Sequence, residues 1–180
     1  MFFKEKTIST KNIYKGKIID VKIDTVLLPN GKKSTREIVK HTGAVAVIPI
    51  LDNGKLVMVK QFRKPIEKIN LEIPAGKLEP NEKPLECAKR ELSEETGYIS
   101  DKLKYILSFY TTPGFSDEII HLFLAQDLKK HQSSHDEDEF LEIVEVPFKT
   151  VLDMIYKGEI RDGKTILGVL ITEKLLKERT

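Results

Sequence analysis

Apolar and polar positions along this chain follow two different periods. Ile19, Val21 and Ile23 alternate with Asp20, Lys22 and Asp24, the period of two that marks a half-buried strand. Pro29-Asn30-Gly31-Lys32 follows. Asn and Gly tolerate positive φ, so a hairpin turn is predicted there, with a returning strand over about Ser34 to Lys40. Gly43 to Leu51 is one unbroken apolar run, as expected of a central strand covered on both faces. Asp52-Asn53-Gly54 turns the chain into a strand over Lys55 to Phe62, where Val57 and Val59 flank Met58. Asn70 to Ile73 then leads through Pro74 and Ala75 to Gly76. Pro and Gly predict an irregular backbone there, with carbonyl oxygens turned toward a ligand. Leu103 to Tyr110, Ile119 to Ala125, and the segment carrying Phe140, Ile143 and Val146 read as further strands.

The helical period appears in three places. Between Pro84 and about Thr96, Leu85, Ala88 and Leu92 form an apolar stripe expected to face the core. Pro84 suits a first helical position and Gly97 the residue just past the end. Val151, Leu152 and Ile155 pattern a helix over Phe148 to Tyr156. Ile166, Leu167, Leu170, Ile171 and Leu175 pattern another over Lys164 to Lys177, with Asp162 or Gly163 near its start. Both read as cover helices on a sheet. The chain thus divides into a small β-strand unit over residues 1–42, its hairpin within 11–41, and a larger α/β domain over 43–180.

Composition narrows the function classes. The chain has 180 residues, is 32% charged and carries a formal net charge of +2. Bulk charge therefore gives no reason to expect nucleic acid or an anionic membrane as partner. No apolar run approaches the length that spans a bilayer. The Met1 to Thr10 segment has no extended hydrophobic region of the kind a signal peptide needs. The single cysteine, Cys87, cannot form an internal disulfide, which fits a reducing cytoplasm. Within a helix it reads as a small buried hydrophobe rather than a nucleophile.

The Pro84–Thr96 helix also carries the chemistry. Glu91, Glu94 and Glu95 lie at i, i+3 and i+4, a spacing that puts three carboxylates on one face. Like charges at this spacing cost a few tenths of a kcal/mol each, and acids near a helix C-terminus oppose the macrodipole. A bound cation would remove both costs. Hard oxygen donors grouped without His or Cys point to Mg²⁺ or Mn²⁺ rather than zinc.

Gly76, Glu82, Arg90, Glu91, Leu92, Glu94, Glu95 and Gly97 stand at the spacings of the Nudix box, G-x5-E-x7-R-E-U-x-E-E-x-G-U. Only the final aliphatic position departs, with Tyr98 in its place. Through this box the chain resembles the Nudix hydrolases. Pro113 stands 16 residues beyond Gly97. That spacing, the flanking Thr112-Pro113-Gly114-Phe115-Ser116-Asp117-Glu118 and the run Lys60 to Pro65 are similar to the ADP-ribose pyrophosphatase branch.

The resemblance implies an α/β/α sandwich of the Nudix type with a mixed sheet, preceded by a small N-terminal β domain exchanged across a homodimer. It implies metal-dependent hydrolysis of the diphosphate of ADP-ribose to AMP and ribose 5-phosphate. Its metal ligands would be Glu91, Glu94, Glu95 and the Ala75 carbonyl, with Arg90 bracing the carboxylates and Glu82 pairing with Arg90. Arg36, Glu37, Arg63, Glu72, Pro113 and Gly114 would contact substrate. A loop glutamate, Glu137 or Glu139, would act as base; His131 and His135 beside it read as surface histidines. Near the expected adenine position, Gly16-Lys17-Ile18-Ile19 supplies only aliphatic and cationic side chains, so other nucleoside diphosphate sugars are the first alternative. A Nudix domain that senses ligand without turnover is the second, and the complete set of box acids speaks against it. An isomerase with this fold would need a cysteine-centred site that Cys87 does not provide.

Overall fold

A computed structural model describes residues 3–131 and 140–178. Chain contacts divide it into two compact units, one of residues 1–43 and 109–119, the other of residues 44–108 and 120–180.

In the first unit β1 (Lys6–Lys15), β2 (Ile19–Leu27) and β3 (Lys33–His41) form an antiparallel sheet in chain order. The predicted hairpin is present: Leu28 N–H donates to the Lys32 carbonyl at 2.8 Å, and Leu27 pairs with Lys33. β1 has no counterpart in the sequence reading, because all ten of its residues are exposed and leave no apolar period. The period-two reading of β2 also needs correction, since it placed Asp24 on the polar side. Asp24 is buried, and Thr10 Oγ1 at 2.7 Å and Lys22 Nζ at 2.9 Å donate to its carboxylate. Residues 109–119 join this unit through the Val39 amide, which donates to the Phe115 carbonyl at 2.8 Å, and through the Asp117 side chain, which accepts from the His41 amide at 2.9 Å.

The second unit is built around β4 (Ala44–Pro49), buried at every position. β4 pairs in parallel with β10 (Ile119–Gln126) and antiparallel with β7 (Ala75–Lys77), in a sheet ordered β7-β4-β10-β9, where β9 is Lys102–Tyr110. β5 (Lys55–Arg63) runs between β12 (Leu141–Pro147) and β6 (Lys68–Glu72) in a second sheet. Short strands β8 (Tyr98–Ile99) and β11 (Lys129–Lys130) pair with each other.

Helix α1 (Pro84–Thr96) covers one face, where Cys87, Ala88 and Leu92 pack with Val45, Val47, Val57 and Phe123. α2 (Phe148–Tyr156) and α3 (Gly163–Lys177) complete the unit. α3 lies on the opposite face of β4, where a Cβ on Gly168 would stand 3.1 Å from Ile48. The buried stripe of α3 is Thr165, Gly168, Val169 and Thr172, not the large residues of the apolar pattern. Small side chains let the helix lie close to the sheet, while the Leu and Ile residues spread over its flanks. The layers are therefore α/β/α with a mixed sheet, preceded by an N-terminal β region.

Candidate active site

α1 begins at Pro84 and ends at Gly97, whose φ of 65° is the left-handed conformation glycine adopts without strain. The Gly97 amide closes the last turn on the Ser93 carbonyl at 2.9 Å. Two of the three acids are not on a solvated face. Glu91 is 8% and Glu95 3% exposed, whereas Leu85, expected in the core, is 40% exposed. α1 is rotated so that its buried side takes in Ala88, Glu91, Leu92 and Glu95 together, and Leu85 points away from the sheet.

A buried carboxylate needs donors. Glu95 Oε2 accepts the Ala75 amide at 2.9 Å. Arg90 serves three acids at once. Its Nε and Nη2 fork onto Glu82, both at 3.0 Å, and its Nη1 reaches Glu91 Oε1 at 2.8 Å and Glu94 Oε2 at 3.0 Å. The Arg90 hydrogen bonds bring the Glu82 carboxyl down to about 2. The same bonds push the Arg90 guanidinium well above its ordinary range.

Gly76 is required by space rather than by φ. A Cβ at this position would overlap the Glu91 carboxylate. The backbone here is not irregular, as Pro74 and Gly76 had suggested, but forms β7. The Pro74 carbonyl accepts the Val47 amide at 2.9 Å, and Ala75 pairs with Ala46. The glycine turn and the acidic helix are thus one construction, with the missing side chain making room for the carboxylate.

The donor set is of the kind a hard divalent cation takes: carboxylates of Glu91, Glu94 and Glu95 beside the Ala75 backbone, with Glu91 seated in the room that the missing Gly76 side chain leaves. As they stand, no three acidic, histidine or cysteine side chains among the described residues converge on one point. Arg90 bridges Glu91 and Glu94 instead. Cys87 is buried, and burial pushes its thiol up to about 12; it takes no nucleophilic part.

A second charged cluster lies at the ends of β5 and β6. Glu72 is 1% exposed. Arg63 forks onto it, Nε to Oε1 at 3.0 Å and Nη2 to Oε2 at 2.8 Å, and Lys164 Nζ also bonds Oε2. Burial opposes ionisation of Glu72, but the Arg63 and Lys164 hydrogen bonds and charges win and bring it down to about 2. The Glu72 carboxylate is thus shared between these two cations. Lys164 went unnoticed in the sequence because its partner lies 92 residues away. The only local signal is Asp162, which caps α3 by accepting the Thr165 amide at 3.0 Å.

The remaining predicted contacts belong to the first unit. Arg36 is held by Glu5, with Nε to Oε2 at 2.9 Å. Glu37, Pro113 and Gly114 are exposed. Lys17, Ile18 and Ile19 line a shallow pocket with Lys40 and His41. Glu137, Glu139 and His135 lie outside the described residues, and His131 just precedes them with its amide on the Gly97 carbonyl at 2.8 Å.

A NUDIX domain model matches residues 40–167. The chain belongs to the Nudix family. A model for the nucleoside diphosphate sugar hydrolase N-terminal domain matches residues 5–39. Over 167 residues the chain is 53% identical to an ADP-ribose pyrophosphatase of Bacillus subtilis (strain 168), covering 92% of this chain and 90% of that protein. It is 50% identical over 169 residues to a methanol dehydrogenase activator of Bacillus methanolicus, covering 93% and 91%. The crystal structure of an ADP compounds hydrolase superposes with a TM-score of 0.87 at 22% identity, covering 98% and 96%, which establishes a shared Nudix fold. Among the described residues no helix is long and apolar enough to cross a membrane.

Proposed function

We propose that this Nudix protein hydrolyses ADP-ribose to AMP and ribose 5-phosphate. The observation that carries the reading is the Gly76–Arg90–Glu91–Glu94–Glu95 construction, together with 53% identity to an ADP-ribose pyrophosphatase over nearly the whole chain. Water adds its oxygen to one phosphorus, the bridging P–O bond breaks, and a proton leaves the attacking water. Glu91, Glu94, Glu95 and the Ala75 carbonyl would hold Mg²⁺, with Mn²⁺ as substitute. Bound there, the cation offsets the charge of the diphosphate and lowers the pKa of the attacking water.

The protein's own residues do the rest. Arg90 aligns the Glu91 and Glu94 carboxylates through its Nη1 hydrogen bonds, as second-layer partners of a metal site do. With Nε and Nη2 on Glu72, Arg63 keeps its Nη1 donors for phosphate oxygens. Glu137 or Glu139 accepts the proton; comparing Glu137→Gln with Glu139→Gln identifies which, and full activity in both rejects a loop base. Arg36, Glu37, Pro113 and Gly114 are assigned to substrate binding on the branch resemblance alone. The exposed β1, with Ile8, Ile13 and Tyr14 uncovered, supports a homodimer formed through the N-terminal β unit. Sedimentation tests it, and a fully active monomer would refute a shared site. The lone reduced Cys87 is consistent with residence in the cytoplasm.

The match to a nucleoside diphosphate sugar hydrolase N-terminal domain favours other nucleoside diphosphate sugars as a second reading. The test is hydrolysis with Mg²⁺ of a panel containing ADP-ribose, ADP-glucose, GDP-mannose, NADH and diadenosine polyphosphates. ADP-ribose should rank among the best by kcat/KM. A poor rank overturns the substrate, and binding without any product replaces the enzyme with a sensor.

A further inference from the structure

Arg63, Glu72, Lys164 and Asp162 form a chain of charges that ends in the first turn of α3. Glu72 is the innermost member. Arg63 already satisfies both of its oxygens with a fork, so a simple buried pair would need nothing more. Yet Lys164, only 11% exposed in its side chain, also bonds Oε2 and is tied by its own ammonium to Asp162 Oδ1 at 3.0 Å. Asp162 commits its other oxygen to the Thr165 amide at 3.0 Å and hydroxyl at 2.6 Å. The Thr165 hydroxyl oxygen in turn accepts the Ile73 amide at 2.9 Å. The start of α3 therefore grips two consecutive residues, Glu72 and Ile73, just before the Ala75–Gly76 strand that meets the acidic helix.

Arg63 is the outermost member, its side chain 39% exposed. Nε and Nη2 are spent on Glu72, and among the described residues Nη1 has no protein acceptor. Arg63 also feels the charge of Glu95, which places it within electrostatic range of the carboxylate face. The outward donor is thus set by an inward carboxylate, and that carboxylate is anchored by a lysine from a distant helix.

We propose that Lys164 is a positioning residue: by anchoring Glu72 to α3 it fixes the direction in which Arg63 presents its Nη1 donors to an anionic substrate. The proposal rests on the hydrolase reading. Without Lys164, Glu72 would be held by Arg63 alone, and the pair could pivot together about β5 and β6. Arg63 would then lose aim on a group bound equally in ground and transition states, an effect that appears in KM rather than kcat.

The experiment is steady-state hydrolysis of ADP-ribose with Mg²⁺ by wild type, Lys164→Met, Lys164→Arg, Arg63→Ala and the Lys164→Met/Arg63→Ala double variant. Lys164→Met should raise KM about 10-fold, the lower range for an outer-layer partner, with kcat within about threefold. Lys164→Arg should restore KM to near wild type. The double variant should match Arg63→Ala, because one residue acts through the other. A wild-type KM in folded Lys164→Met, or effects of the two single changes that multiply, overturns the proposal. If Lys164→Met does not fold, Asp162→Asn loosens the lysine without removing it; a raised KM supports the proposal and an unchanged KM overturns it. A wild type that cleaves no nucleoside diphosphate sugar defeats the hydrolase reading and this inference together, whereas wild-type turnover with unaltered KM in the variants defeats only the role of Lys164.

Discussion

Two charged clusters in the same unit are built to opposite plans. On α1 a single guanidinium, Arg90, is shared among Glu82, Glu91 and Glu94, with Glu95 beside them. At the ends of β5 and β6, Arg63 and Lys164 meet Glu72 and Asp162, two cations against two anions. The second cluster matches its charges one for one and leaves Arg63 Nη1 pointing away from Glu72. The first gathers several carboxylates around one arginine, beside the glycine whose missing side chain makes room for Glu91. Burying net negative charge costs stability unless something completes it. Acids that share one guanidinium and acids matched with as many cations should answer differently to substitution.

The sharpest way to break that contrast is at the acidic cluster on α1. Partners behind a metal ligand are worth about 10–100-fold, so Glu95→Gln should lower kcat by more than about 100-fold. Gln keeps an acceptor for the Ala75 amide, and circular dichroism should show an intact fold; near-normal turnover would remove the carboxylate face from the mechanism. Arg90→Lys comes next. A lysine cannot fork across Glu82 while bridging Glu91 and Glu94, and kcat should fall by about 10–100-fold. Full activity in that variant would make the brace dispensable.

Gly76→Ala tests the cradle by stability. The added methyl must displace the Glu91 carboxylate or the strand, a crowding cost of about 1–3 kcal/mol, read as a lowered Tm. An unchanged Tm would mean that Glu91 has room the structure does not show.

The balanced cluster should answer to acid instead. Glu72 sits at about 2 against an ordinary 4.5. A depressed carboxylate contributes its stability in full above the unfolded value and loses it as pH falls toward the folded one. Wild type should therefore lose stability as pH drops from 4.5 toward 2, and Glu72→Gln should lose less over the same window in urea titrations. Equal pH slopes would show that Arg63 and Lys164 do not hold this carboxylate ionised. The smallest effect is expected at Cys87. With its thiol pushed up to about 12 by burial, it should resist iodoacetamide at neutral pH in the folded protein. Rapid labelling would contradict its burial on the core-facing side of α1.

Much of this was legible along the chain. The apolar run at β4, the caps of α1 at Pro84 and Gly97, and the spacing of Gly76, Arg90 and the glutamates are local facts, and the family follows from them. Periodicity and spacing report on neighbours within a few turns of the chain, so they identified the acidic helix, and the box spelled along it carries the resemblance that implies the reaction. They could not say which side of that helix would be buried, and so Leu85 was assigned to the core and Glu91 and Glu95 were not. That rotation depends on the strands α1 packs against. Why residue 76 must lack a side chain, why the small residues of α3 rather than its leucines meet the sheet, and how Lys164 comes to hold Glu72 are likewise tertiary facts. Each joins groups far apart in sequence, and a carboxylate's neutralising partner is chosen by proximity in space, which no local pattern encodes.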